Sequence, residues 1–162
     1  MITLDKMGKE EFDAFFEASV RRQAEDRAWA NGSSVATERA GLEAMIPLLL
    51  PTGMESPGHT FRVARDARGA PVGYVWFGTI PGMPEGSIML LDIAVDERER
   101  GKGYGKEMLE TMLESMGKSG YENAILNVRN DNAAAIGLYE GLGFATVEDD
   151  GKYKTMVRNL KA

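Results

Sequence analysis

Between residues 12 and 20 the apolar side chains fall at Phe12, Phe15, Phe16 and Val20, a spacing that gathers them on one face of a helix. A short strand candidate, MITLDK, precedes it. NGSS at 31–34 interrupts the pattern: Gly32 suits a helix C-terminus, and Ser33 or Ser34 suits the N-cap of the next helix. That second helix is expected to turn Leu42, Met45, Ile46 and Leu49 inward, with Pro47 disturbing its last turns. PTGMESPG at 51–58 is turn chemistry.

The period then changes. HTFRVARD and PVGYVWFG are β-rich and flank DARGA at 66–70, so they read as an antiparallel hairpin. After a Gly/Pro segment, SIMLLDIAV at 87–95 is a nearly continuous apolar run, the pattern of a central strand covered on both faces. Met108, Leu109, Met112, Leu113 and Met116 then mark a buried helical face that ends near Gly117 or Gly120. NAILNV (123–128) is a strand, NAAAIGLYEGL (132–142) a helix and KYKTMVRNL (152–160) a closing strand. Two helices, a hairpin, then strand, helix, strand, helix, strand predict an α/β (α+β) architecture: a mixed sheet with helices on both faces. At 162 residues and 43% apolar content, the expectation is one domain over 1–162.

Composition removes several kinds of chemistry. With no cysteine there is no disulfide, thiolate zinc site or cysteine nucleophile, and with His59 as the one histidine a metal site is not expected. No segment approaches the 18 or so apolar residues of a membrane span, and the N-terminus lacks a leader pattern, so the protein is expected to be cytoplasmic. A formal net charge of −6 disfavours nucleic acid and anionic membranes as partners.

Against that acidic background RERGKGYGK (98–106) carries Arg98, Arg100, Lys102 and Lys106 against Glu99 alone, a net +3. It lies between the end of a buried strand and the start of a helix, where unpaired amides and the positive end of the macrodipole face outward. Gly101, Gly103 and Gly105 let a ligand approach those amides, and the basic side chains can add charge-assisted contacts, so the loop reads as an anion site. A dinucleotide fingerprint starting at Gly101 would need glycine where Lys106 stands. A Walker loop would need Ser or Thr where Glu107 stands. What remains is R-x-x-G-x-G, filled by Arg100, Gly103 and Gly105.

This motif, in LLDIAVDERERGKGYGKEML, resembles the strand, loop and helix with which the GNAT superfamily of N-acetyltransferases binds acetyl-CoA. NVRNDNAAAIGLYEGLGF (127–144) is similar to the family's second motif, through Asn132, Ala135, Leu138, Tyr139, Gly143 and Phe144. The resemblance implies an acyl-CoA N-acyltransferase fold with a mixed, mostly antiparallel sheet. It implies that Ile93, Ala94 and Val95 present backbone groups to the pantetheine arm of acetyl-CoA. Arg100, Gly101, Lys102, Gly103, Tyr104, Gly105 and Lys106 would hold its pyrophosphate, and Asn132 and Ala135 would lie against the arm. Tyr139 would sit near the sulfur. Without a cysteine to carry an acyl group, direct attack of a neutral amine on the thioester is expected, with Tyr139 protonating the departing thiolate and a backbone N–H near Val95 stabilising the oxyanion.

Local sequence leaves other roles open. Tyr139 shares helical register with Ile136 and Leu142, as a core residue would, and Asn132 suits a plain N-cap. Asp92, a carboxylate in an apolar strand, reads either as the general base or as an edge-facing, solvated aspartate. Glu85, a bound water and His59 are other candidates for the base. Trp29, Trp76, Glu25 and Asp26 are candidates to line a pocket for a small-molecule or peptide amine acceptor. The second half also resembles the ribosomal-protein alanine N-acetyltransferases, but Asn127 stands where that family has glutamate. A homodimer is open on this sequence. So are two rival roles, a catalytically silent acyl-CoA-binding regulatory module and a helix-presenting interaction protein.

Overall fold

The computed structural model describes residues 1–161 and contains a seven-stranded sheet with four helices. In chain order these are β1 (Thr3–Lys6), α1 (Lys9–Asn31), α2 (Val35–Leu49), β2 (His59–Arg65), β3 (Pro71–Gly78), β4 (Ser87–Val95), α3 (Tyr104–Lys118), β5 (Asn123–Arg129), α4 (Ala133–Gly141), β6 (Ala145–Asp149) and β7 (Tyr153–Asn159). The strand order is β1-β2-β3-β4-β5-β7-β6, antiparallel throughout except for β4 with β5. The mixed sheet expected from the sequence is present, with β4 in the fourth position of seven.

Each face of the sheet has its own core. α3 lays Met108, Leu109, Met112, Leu113 and Met116 over one face, against Val75, Phe77, Ile88, Leu90 and Leu126, and α4 adds Ile136 and Tyr139. The other face receives α1, whose Phe15 joins Phe61, Val63 and Trp76. Phe61 stacks on Trp76 at 5.0 Å between ring centres and meets Phe12 edge-on at 4.9 Å. The β3–β4 ladder slips at Trp76/Phe77: Phe77 pairs with Leu90 and Trp76 with Asp92, which leaves Leu91 as the extra residue of a bulge. The slip divides neighbouring residues between the faces. Leu90 belongs to the core under α3, whereas Leu91 packs with the α1 cluster.

The helix boundaries follow the expected signals. Gly32 closes α1 at φ 65°, and the Ser34 hydroxyl caps α2 by accepting the Thr37 N–H at 3.1 Å. Two expectations need correction. α2 runs through Pro47, because in the last turn the ring removes a single N–H and the ladder resumes with Leu50 N–H to Ile46 at 2.7 Å. Met45 does not face inward: α2 packs on α1 rather than on the sheet, so Leu42 is buried while Met45 and Leu48 are exposed. One strand, β6, has no counterpart in the sequence reading. All five of its residues are exposed on the sheet edge, so no alternation of buried positions marked it. No helix among the described residues is long and apolar enough to cross a membrane.

Candidate active site

β4 and β5 pair only through Ser87 with Asn123, Ile88 with Ala124 and Met89 with Ile125. Beyond Met89 the ladder stops, and the rest of β4 borders an opening in the middle of the sheet. The direction of its backbone groups follows from strand geometry, since the N–H and C=O of alternate residues point to opposite sides. The Asp96 N–H donates to Val72 on the β3 side at 2.9 Å, so Ala94 also points toward β3 while Ile93 and Val95 point into the opening. Ala94 is therefore corrected as a backbone contact for a ligand, because its peptide groups belong to the β3 ladder. Of the four groups that Ile93 and Val95 aim at the opening, two are taken: the Ile93 N–H donates to Asp92 Oδ1 at 2.9 Å, and the Val95 carbonyl accepts from Arg100 Nε at 3.3 Å. The Ile93 carbonyl and the Val95 N–H are left, one acceptor and one donor.

The glycine loop begins where this strand ends. Gly101 and Gly103 have φ of 80° and 84°, left-handed values that strain any other residue. Gly103 is the N-cap of α3 and offers no side chain to the helix amides, so the N–H groups of Tyr104, Gly105 and Lys106 have no side-chain cap, and the positive end of a 15-residue helix lies behind them. Gly105 has a different task. A Cβ there would stand 3.6 Å from Val95 Cγ2 and 3.9 Å from Leu138 Cδ2, so the glycine keeps space free where the end of β4, the start of α3 and α4 meet. Tyr104 is half-buried against the α3 core. The basic side chains are partly engaged within the loop: Lys102 pairs with Glu99 at 2.8 Å and Lys106 with Glu110 at 3.8 Å. The amides, which no side chain neutralises, are the more available anion ligands.

Tyr139 follows Leu138 on α4 and is only 8% exposed. Its ring meets Phe144 edge-on at 6.0 Å. The hydroxyl donates to no described residue, and no buried side-chain oxygen or nitrogen among the described residues lacks a partner, so the hydroxyl keeps some access to solvent. Burial pushes its pKa up to about 12, with the negative charge of Asp92 as the second cause. The phenol thus stays protonated and can serve as a proton donor. The sign of the stability effect follows: the unfolded chain releases this proton near pH 10 and the folded chain near pH 12, so stability falls as pH rises between the two. That loss is expected to reach at most about 3 kcal/mol. Denaturant melts at rising pH should show it, and Tyr139→Phe should reduce it.

Asp92 is neither solvated nor free. Its side chain is 16% exposed, Oδ1 accepts from Ile93 N–H, and Oδ2 takes Nη2 of Arg22 on α1 at 2.5 Å. Both of its oxygens are thus engaged, and the general-base role expected for it would require one of them to be released. Asn132 caps α4, its Oδ1 accepting the Ala135 N–H at 3.2 Å, and Ala135 packs on the core behind it. His59 lies on β2 opposite Gly78, two strands from the opening, and its Nδ1 accepts the Trp76 indole N–H at 3.0 Å. Burial lowers its pKa, so it packs as a neutral ring. Glu85 is exposed before β4, at the end where β4 and β5 are still paired.

The proposed acceptor-pocket residues divide. Trp76 is buried core. Trp29 carries Arg129 over its ring at 3.9 Å and Lys152 at 4.8 Å, while Arg129 reaches Asp26 at 3.2 Å and Asp131 at 2.8 Å. α1 therefore crosses the opening, touching β4 through Arg22 and β5 through Asp26 and Trp29. Arg22 and Arg129 were not anticipated as site residues. The one sequence signal for Arg22 was the need of the strand-borne Asp92 for a cation.

Known proteins bear on this arrangement. The model of the acetyltransferase (GNAT) family matches residues 13–144, most of the chain and both edges of the opening. The chain belongs to this family. Among GNAT relatives it is similar to the uncharacterized N-acetyltransferase YdgE of Bacillus subtilis, with 29% identity over 147 residues, 88% of this chain and 91% of that one. Its fold matches the crystal structure of the putative acetyltransferase YycN of B. subtilis, with a TM-score of 0.81 and 27% identity, covering 92% of this chain and 95% of that one. It also matches the PaiA N-acetyltransferase of Thermoplasma acidophilum in complex with coenzyme A, with a TM-score of 0.69 and 19% identity over 98% and 99% of the chains. The protein is an acetyl-CoA-dependent N-acetyltransferase of the GNAT family. Among the described residues there is no cluster of three or more His, Asp or Glu side chains able to hold a metal.

Proposed function

We propose that this enzyme transfers the acetyl group of acetyl-CoA to a primary amine by direct attack within a ternary complex. One observation supports the reading: beyond Met89 the edge of β4 is open and leads into the uncapped amides of α3, with the Tyr139-bearing helix α4 packed beside them. From Asp92 to Val95 the open edge spans about 10 Å at strand rise, a length suited to an extended arm carrying amides. The Val95 N–H and Ile93 carbonyl would pair with that arm as a neighbouring strand would. The amides of Tyr104, Gly105 and Lys106, with Gly101 and Gly103 keeping the approach clear, would hold the diphosphate. Arg100 and Lys102 would add charge at the rim, and Asn132 has its amide N–H₂ left to donate.

In the reaction, the nitrogen lone pair forms the new C–N bond as the C–S bond breaks. Tyr139 gives its proton to the departing sulfur, whose parent thiol has a pKa of about 8.5, and the nitrogen, which carries one proton too many once the C–N bond has formed, returns it through water to the phenolate. The ammonium form of the acceptor loses its proton to solvent at the mouth of the opening, because both oxygens of Asp92 are held. The acceptor would be a small-molecule or peptide amine entering beside α1.

Thermal unfolding with CoA tests the binding half. At 100 times the dissociation constant, linkage gives about 2.7 kcal/mol, or a Tm rise of about 5–10 °C for a chain of this size. An unmoved Tm would remove the reading. Thiol release from acetyl-CoA across a panel of polyamines, amino acids and peptides tests the transfer half. Binding without release for any amine would point instead to a silent acyl-CoA-binding module.

A further inference from the structure

Beyond Met89 the edge of β4 lacks a neighbouring strand, and the bulge at Leu91 loosens the ladder on its other side. The Ile93 N–H faces the opening and would be an orphan donor if the preceding side chain did not turn back to accept it. That side chain is a carboxylate with little access to water, so it needs a cation, and Arg22 reaches it from across the opening. Only Nη2 of the guanidinium makes this bond.

We propose that Arg22 is a positioning residue for acetyl transfer: by pinning one oxygen of Asp92, it keeps the other on the Ile93 amide and so holds the open edge of β4 in place. The inference rests on the acetyl-transfer reading and extends it to a residue that touches neither the acyl group nor the strand edge. Without Arg22 the carboxylate turns toward water and the Ile93 amide loses its acceptor, which frees the strand edge that would pair with the arm. One contact thus ties α1 to the open edge of β4.

The test uses Arg22→Met, Arg22→Lys and Asp92→Asn in the full chain. Misplacement of about 1 Å at a reacting site can lower turnover up to 100-fold, so Arg22→Met is expected to reduce kcat about 10-fold with the KM for acetyl-CoA changed less than about 3-fold. Arg22→Lys should restore much of the loss, since a single nitrogen makes the bond. Arg22→Met placed on Asp92→Asn should add little. A lower Tm with unchanged kcat would make the ion pair a staple only and overturn the proposal. Amide exchange at Ile93, read without substrate, separates this failure from failure of the acetyl-transfer reading. Exchange in Arg22→Met should be at least about 10-fold faster than in the parent whether or not any amine is acetylated, and an unchanged rate would also overturn the proposal.

Discussion

Tyr139→Phe is expected to lower kcat by about 100-fold or more while leaving the affinity for acetyl-CoA nearly unchanged, because a positioned acid contributes about 10²–10⁴ to rate. A 100-fold loss corresponds to about 2.7 kcal/mol of activation free energy. The substitution separates chemistry from packing cleanly. The ring and its edge contact with Phe144 remain, and the hydroxyl has no protein partner to lose, so melting should move little. Steady-state kinetics with saturating amine, alongside CoA titration, distinguishes the cases. Unchanged kcat would return Tyr139 to a packing role.

Gly103→Val is expected to raise the KM for acetyl-CoA by at least about 30-fold, since a β-branched residue at φ 84° strains the cap by roughly 1–3 kcal/mol and projects into the space before the helix amides. No protein atom lies within 4 Å of the added Cβ, so a clash within the fold does not confuse the result. Gly120→Val is the control. Gly120, just past the other end of α3, has φ 99° and equally open surroundings, so its substitution should cost stability without touching KM. Equal KM effects from both variants would remove the pyrophosphate assignment from the loop.

Much of this arrangement was legible because the residues concerned have local causes. The glycines at 101, 103 and 105 announced a loop with accessible amides ahead of a helix, Met108 to Met116 announced a buried helical face, and the apolar run of β4 announced a central strand. Asn132 declared a helix start, which the structure bears out as a cap. What escaped depends on partners distant in sequence. Asp92 could be singled out as costly to bury, but nothing in its neighbourhood named Arg22, 70 residues earlier, as the group that offsets the cost. β6 owes its form to pairing with β7 and carries no buried face of its own. Ala94 and Val95 look equivalent in sequence, and only the β3 register reveals that their peptide groups face opposite ways. Met45 was misplaced because its helix rests on another helix instead of the sheet, which halves the stripe that needs to be apolar.

The short ladder between Ser87–Met89 and Asn123–Ile125 makes the molecule resemble a book bound along a narrow spine. The pages are β1–β4 and β5–β7, and how far they stand apart at the reaction end is set at the binding, where Ser87 and Ala124 are almost wholly enclosed. Changes of volume at Ser87 or Ala124 are therefore expected to act on the aperture at the far margin from a distance.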